Sequence, residues 1–235
     1  MTIKAVLTDI EGTTAPVTFV AEVLFPYAAE RLDAFVRANL NDRTIAEALA
    51  ETADLEGRKL SLDEAIETLL GWIKADRKAT PLKTLQGKIW REGYESGAIR
   101  SPVYPDAVAA LKAWHARGLR LDVYSSGSVE AQVLLYRYSE AGDLTPLFTD
   151  YFDTRVGAKV EAASYAAIAG KIGFRPDEIL FLSDLPREVD AALKGGMKSW
   201  RIDRNLRHGT METDAAGVTV ASDFTLADIW LTARA

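Results

Sequence analysis

Three short runs in this chain each stop at a residue that can do chemistry, and this constrains the fold more tightly than any other feature. Residues 5–8 (Ala-Val-Leu-Thr) end at Asp9, residues 119–124 end at Ser125, and residues 179–182 (Ile-Leu-Phe-Leu) end at Ser183 and Asp184. Short, strongly apolar runs of this kind mark strands buried on both faces, as in a parallel sheet. Helical spacing fills the gaps at 106–117 (closed by Gly118), 129–138, 164–172 (ended by Gly173) and 188–194, with Pro186 suited to a first turn. Weaker strand signals lie at 151–152, 200–202 and 218–220. Strands alternating with helices predict an α/β fold, a doubly wound parallel sheet covered on both faces. Ligands in such sheets gather at the carboxyl ends of the strands, which points at Asp9, Ser125 and Asp184 together.

One stretch breaks the alternation. From about residue 20 to residue 96 apolar residues recur only at helical spacing, as in Val20-Val23-Leu24-Tyr27, Ile45-Leu49 and Ala65-Leu69-Trp72-Ile73. Ser61-Leu62-Asp63-Glu64 fits a capping box, and Gly57 and Pro81 punctuate the stretch. A chain of 235 residues suits a core domain carrying a smaller insertion. The expected organisation is residues 1–15 and 101–235 as the α/β core, with 16–100 inserted as an all-helical cap.

Composition removes several classes of function. The net charge of -6, with no basic run, argues against nucleic acid and anionic membranes as partners. The absence of Cys excludes disulfides, thiolate catalysis and Cys-based zinc sites, and two His are too few for a His-rich metal site. The amino-terminal residues lack a signal-peptide pattern and no apolar stretch could span a bilayer, so a soluble, cytoplasmic protein is expected; the expected assembly is a monomer.

Asp9 and Glu11 stand two positions apart just past a buried strand. Carboxylates this close repel unless a cation lies between them, although a solvated loop with incidental acids has the same appearance. Asp184 ends another buried strand, with Glu188 one turn into the next helix. Acids meeting at one sheet edge make an all-oxygen site suited to magnesium. Ser125, Ser126, Gly127 and Ser128 lead into a helix start, either as an anion cradle or as an ordinary N-cap. Lys159 follows a loop after a short strand and is either a phosphate-holding cation or a surface lysine. His115, on a helix, and His208, in a polar loop, carry no assigned chemistry. Trp72, Trp90 and Tyr94 are candidates for substrate contact in the insertion, with helix packing the favoured alternative.

In order, Asp9-Ile10-Glu11-Gly12-Thr13-Thr14, Ser125-Ser126-Gly127-Ser128, Lys159 and Ser183-Asp184 resemble the four motifs of the haloacid dehalogenase superfamily. Within it, the chain is similar to the enolase-phosphatase E1 (acireductone synthase) family. That narrower resemblance rests on the Glu at position 11, Leu24-Phe25-Pro26-Tyr27, Gln86-Gly87 with Trp90, Tyr124 through Gln132, Gly157 with Lys159-Val160-Glu161, and the strand before Asp184. It runs from about residue 5 to residue 192. Beyond Gly196 the family's Arg-Pro-Gly-Asn-like loop is replaced by Arg201-Ile202-Asp203-Arg204-Asn205.

The resemblance implies a magnesium-dependent phosphatase with one Mg2+ per subunit, held by Asp9, Glu11 and Asp184. It implies Asp9 as nucleophile, forming an aspartyl-phosphate, and Glu11 as a metal ligand, an acid-base or an aid to enolisation. Ser125, Ser126, Gly127 and Lys159 would hold the phosphoryl group. The implied substrate is a small phosphorylated diketone of methionine salvage, enolised and dephosphorylated to an acireductone, with the cap excluding water. Three rivals are another cap-bearing phosphatase of the superfamily acting on a different phosphorylated metabolite, a metal-free dehalogenase, which magnesium dependence would exclude, and a non-enzymatic binding protein.

Overall fold

The computed structural model describes residues 2–232. The chain divides into two compact units, one running to Val17 and resuming at Ser101, the other spanning Thr18–Arg100.

The first unit is built on a seven-stranded sheet. Its elements in chain order begin with β1 (Ala5–Thr8), and after the second unit's α1 (Phe25–Ala38), α2 (Arg43–Glu56), α3 (Leu62–Lys74) and α4 (Thr80–Glu95) the first unit resumes with α5 (Pro105–Ala116). There follow β2 (Arg120–Tyr124), α6 (Val129–Arg137), β3 (Asp150–Phe152), α7 (Ala162–Ile172), β4 (Ile179–Ser183), α8 (Pro186–Lys194), β5 (Lys198–Ile202), β6 (Met211–Thr213), β7 (Thr219–Ala221) and α9 (Phe224–Thr232). The strand order is β3-β2-β1-β4-β5-β7-β6, parallel except for β6 against β7. The doubly wound α/β reading is borne out. Strand order reverses at β1, which pairs with β2 on one side and β4 on the other, Thr8 lying opposite Val123 and Leu182. This is the switch point at which such sheets bind ligands.

Both faces of the sheet's centre are buried because β1 and β4 are almost wholly apolar. Ala5, Leu7, Ile179 and Phe181 pack under Tyr165, Ile168 and Ile172 of α7 and Ala191 and Ala192 of α8. The alternate positions Val6, Leu180 and Leu182 are equally buried, and right-handed crossovers place α5 and α6 on that opposite face. There Trp114 of α5 stacks on Phe224 of α9 at 5.6 Å between ring centroids and donates from Nε1 to Asp228 Oδ1 at 2.9 Å. The sequence reading left β6 and α9 unassigned.

The second unit is helical throughout, with a core of its own from Ala28, Leu32 and Val36 of α1, Ile45 and Ala48 of α2, Leu69, Trp72 and Ile73 of α3, and Leu82, Leu85 and Ile89 of α4. Ser61 caps α3, its Oγ accepting from Glu64 N–H at 3.3 Å while Glu64 Oε2 accepts from Ser61 N–H at 2.8 Å, so the expected capping box is present. Entry differs from simple α-periodicity. Val20–Leu24 form a π-helical turn ahead of α1, and the buried stripe runs Leu24-Ala28-Leu32, leaving Val23 exposed. Trp72 and Tyr94 are buried in packing, and Trp90 stacks on Phe25 and donates from Nε1 to the Leu24 carbonyl at 2.8 Å. Among the described residues no helix is long and apolar enough to cross a membrane.

Candidate active site

Asp9 is placed by the last rung of the sheet. Its N–H donates to the Leu182 carbonyl at 2.9 Å, and the chain then leaves the sheet in a tight turn. The carbonyl of Ile10 accepts from the N–H groups of Thr13, Thr14 and Ala15 at 3.1, 2.9 and 2.9 Å. Gly12 sits at φ +73° within this turn, and a Cβ there would stand 2.3 Å from Asp184 Oδ2. Only glycine meets both demands, because the left-handed backbone and the close approach each exclude a side chain. The turn after β1 therefore rests directly on the residue that follows β4, and the Asp184 N–H donates to Thr13 Oγ1 at 3.0 Å. Thr14 Oγ1 shares a hydrogen bond with Tyr136 Oη of α6 at 2.8 Å, tying the turn to that helix as well.

Lys159 reaches the site from the loop between β3 and α7. Three side chains latch that loop: Tyr124 Oη donates to the Gly157 carbonyl at 2.9 Å, Ser164 Oγ to the Ala158 carbonyl at 2.8 Å, and Tyr165 Oη to the Lys159 carbonyl at 2.7 Å. Gly157, at φ +145°, leaves room for Ser164, whose Oγ would lie 2.2 Å from a Cβ at that position. Held this way, Lys159 Nζ lies 2.6 Å from Asp9 Oδ1 and 2.7 Å from Glu188 Oε2, and all three side chains are buried. Ser183 Oγ donates to the same Glu188 oxygen at 2.8 Å. The acid whose role the sequence left open is thus the second partner of the lysine.

One ammonium here faces three acids. Burial works against the Lys159 charge, but Asp9 and Glu188 outweigh it and hold the ammonium above its ordinary value. Burial, followed by the charge of Asp9, raises the Glu188 carboxyl. Asp184 is pushed up to about 6, first by burial and then by Asp9 and Glu188. Its Oδ1 is buried without a hydrogen-bond partner. An all-oxygen site short of positive charge, with an orphaned carboxylate oxygen, fits a hard divalent cation. Among the described residues no three His, Cys, Asp or Glu side chains already form a metal cage, so backbone carbonyls, water and a bound phosphate would complete the shell, as is usual for magnesium.

The loop after β2 ends on the same sheet edge. Ser125 is buried, with its N–H donating to the Phe152 carbonyl at 3.1 Å and its Oγ accepting from Gly127 N–H at 3.3 Å. Ser128 caps α6, accepting from Ala131 N–H at 3.2 Å. Gln132 Nε2 donates to the carbonyls of Gly127 and Phe152 at 2.8 and 2.9 Å, clamping this loop to the end of β3. Ser126 is exposed, and Glu11 is half-buried in the turn after Asp9, its backbone bridged to Ala15. The structure thus joins Asp9, Lys159 and Glu188 directly and sets Asp184 against the Asp9 turn. It sends Ser125 to the same edge and keeps His115 and His208 on the surface. The latches from Tyr124, Tyr165, Tyr136 and Gln132 were missed in the sequence. Their available signal was a polar tip on an otherwise buried side chain, which must find a partner.

A family model of haloacid dehalogenase-like hydrolases matches residues 3–196. The enolase-phosphatase E1 of Parvibaculum lavamentivorans is 53% identical over 227 residues, covering 96% of this chain and 97% of its own. That of Pseudomonas aeruginosa is 56% identical over 205 residues, covering 87% of this chain and 91% of its own. The crystal structure of the UTR4 protein of Saccharomyces cerevisiae superimposes with a TM-score of 0.78 at 35% identity, covering 94% of this chain and 98% of that one.

Proposed function

The chain belongs to the haloacid dehalogenase-like hydrolases and, within them, to the enolase-phosphatase E1 family, and we infer from this membership and the site geometry that it is a magnesium-dependent phosphatase using Asp9 as nucleophile. The substrate we propose is 2,3-diketo-5-methylthiopentyl 1-phosphate. It would be enolised and dephosphorylated to the acireductone 1,2-dihydroxy-3-keto-5-methylthiopentene in methionine salvage.

The observation that carries this reading is Asp9 at the sheet's switch point, paired at 2.6 Å with a buried lysine. A carboxylate attacking a phosphate must be ionised and must meet little repulsion. Lys159 supplies the counter-charge and, as phosphate arrives, a donor for its oxygens. Ser125 Oγ accepts from Gly127, so its own proton is left to donate to the phosphoryl group. Attack by an Asp9 oxygen forms a bond to phosphorus as the bond from phosphorus to the substrate oxygen breaks, leaving an aspartyl-phosphate that water then cleaves. Glu11 would protonate the departing oxygen and later deprotonate that water. A divalent cation, when bound by Asp9, Asp184 and the Glu11 carbonyl or side chain, would supply charge neutralisation at the phosphoryl group. Glu188 and Ser183 orient Lys159.

The decisive experiment incubates the diketo phosphate with Mg2+ and follows phosphate release together with acireductone absorbance. Both should appear in step, vanish with EDTA, and fall by on the order of 10^4-fold or more in Asp9→Asn. Phosphate without acireductone would reduce the assignment to a plain phosphatase, and phosphate release that persists in EDTA would overturn the magnesium dependence.

A further inference from the structure

The loop after β5 sends Arg204 back into the site's framework. Its Nε and Nη2 both donate to the Thr13 carbonyl, at 3.2 and 2.5 Å, and its Nη1 pairs with Asp106 Oδ2 at 2.7 Å. The guanidinium lies over the Tyr104 ring at 4.1 Å and near that of Phe224 at 5.4 Å. Asp106 is itself fixed, because the same oxygen accepts from Phe224 N–H at 2.8 Å. The starts of α5 and α9 therefore hold the arginine, which grips one peptide of the turn after β1.

Thr13 is also the residue through which Asp184 is placed. Thr13 Oγ1 accepts from Asp184 N–H at 3.0 Å, and the preceding Gly12 packs against the Asp184 carboxylate. We infer that Arg204 is a positioning residue that fixes Thr13, and through it Asp184, in the metal-holding half of the site. The inference rests on the phosphatase reading above. A planar fork that makes two bonds to one carbonyl and a third to a carboxylate is arginine chemistry, which lysine does not reproduce. Groups one step removed from metal ligands tune affinity through such placement.

The test is titration calorimetry of Mg2+ into the substrate-free, full-length protein, with Arg204→Lys and Arg204→Met beside the wild type. Both variants should bind Mg2+ about tenfold more weakly, and kcat should recover toward wild type at saturating metal. Arg120→Met is the control. Arg120 bridges buried Asp122 and exposed Asp150 where β2 begins, so its loss should lower the melting temperature and leave the magnesium Kd unchanged. Unchanged magnesium affinity in Arg204→Lys overturns the inference, as does an equal loss in Arg120→Met. Should Arg204→Met not fold, the lysine variant decides alone. A wild-type protein that takes up no magnesium removes the phosphatase reading itself, an outcome distinct from a wild type that binds and variants that bind equally well.

Discussion

Lys159 faces Asp9 and Glu188 at once, so removing its charge leaves two buried carboxylates without their counter-ion. Lys159→Met should cost about 3–5 kcal/mol of folding stability, the usual scale for breaking a buried pair from one side, and should abolish measurable phosphate release. Denaturant unfolding and a phosphate assay check the two effects separately. The lysine's folded pKa is raised, so its contribution to stability is complete below its unfolded value near pH 10 and fades only as pH climbs through the higher folded value. Asp184 runs the other way. Its carboxyl rises from 3.8 to about 6, so the folded state binds the proton more tightly and stability falls as pH rises from about 4 to 6. At pH 8 in EDTA, Asp184→Asn should therefore be more stable than wild type by about 1–2 kcal/mol, once solvent screening is discounted. The advantage should disappear at pH 4, and calorimetric melting at the two pH values reads it. At this scale the sequence showed the acids and the lysine, because each follows directly on a recognisable element. It did not show that Glu188 belongs to the lysine, since a helical spacing of four says nothing about a residue arriving from a distant loop.

The elements were legible wherever burial made them apolar. β1 and β4 are unbroken apolar runs, and α3 begins with its own capping signal. Ser61→Ala should destabilise the helical unit by about 1 kcal/mol, seen as a lower denaturant midpoint by circular dichroism. Val20–Leu24 misled the periodicity because π-helical bonding spaces residues differently from an α-helix. β6 escaped because Met211, Glu212 and Thr213 are all exposed and offer no apolar alternation. α9 did carry a signal: Asp223 Oδ1 accepts from Thr225 N–H at 3.0 Å as a cap, and Phe224, Ala227 and Leu231 follow at helical spacing and are buried. The loop latches had no equivalent, because Tyr124 and Tyr165 pass for core aromatics until their hydroxyl partners are known.

The whole molecule is one unit interrupted in sequence by another. Each unit has its own core, and the first has its two segments tied together beside the interruption: Tyr104 N–H donates to the Thr14 carbonyl at 2.9 Å. Joining Val17 to Ser101 through a short glycine-rich linker should therefore leave the α/β unit able to fold, since the loop being closed is shorter and costs less entropy than the natural one. A single cooperative melting transition with a native-like circular dichroism spectrum is the expected result, and an unfolded product would refute it. The same tie beside the interruption has a consequence for ancestry. A guest segment that enters and departs through one point of its host can be exchanged for another without rewriting the host's sheet. A lineage could acquire new appetites by replacing the visitor while the host stays unaltered.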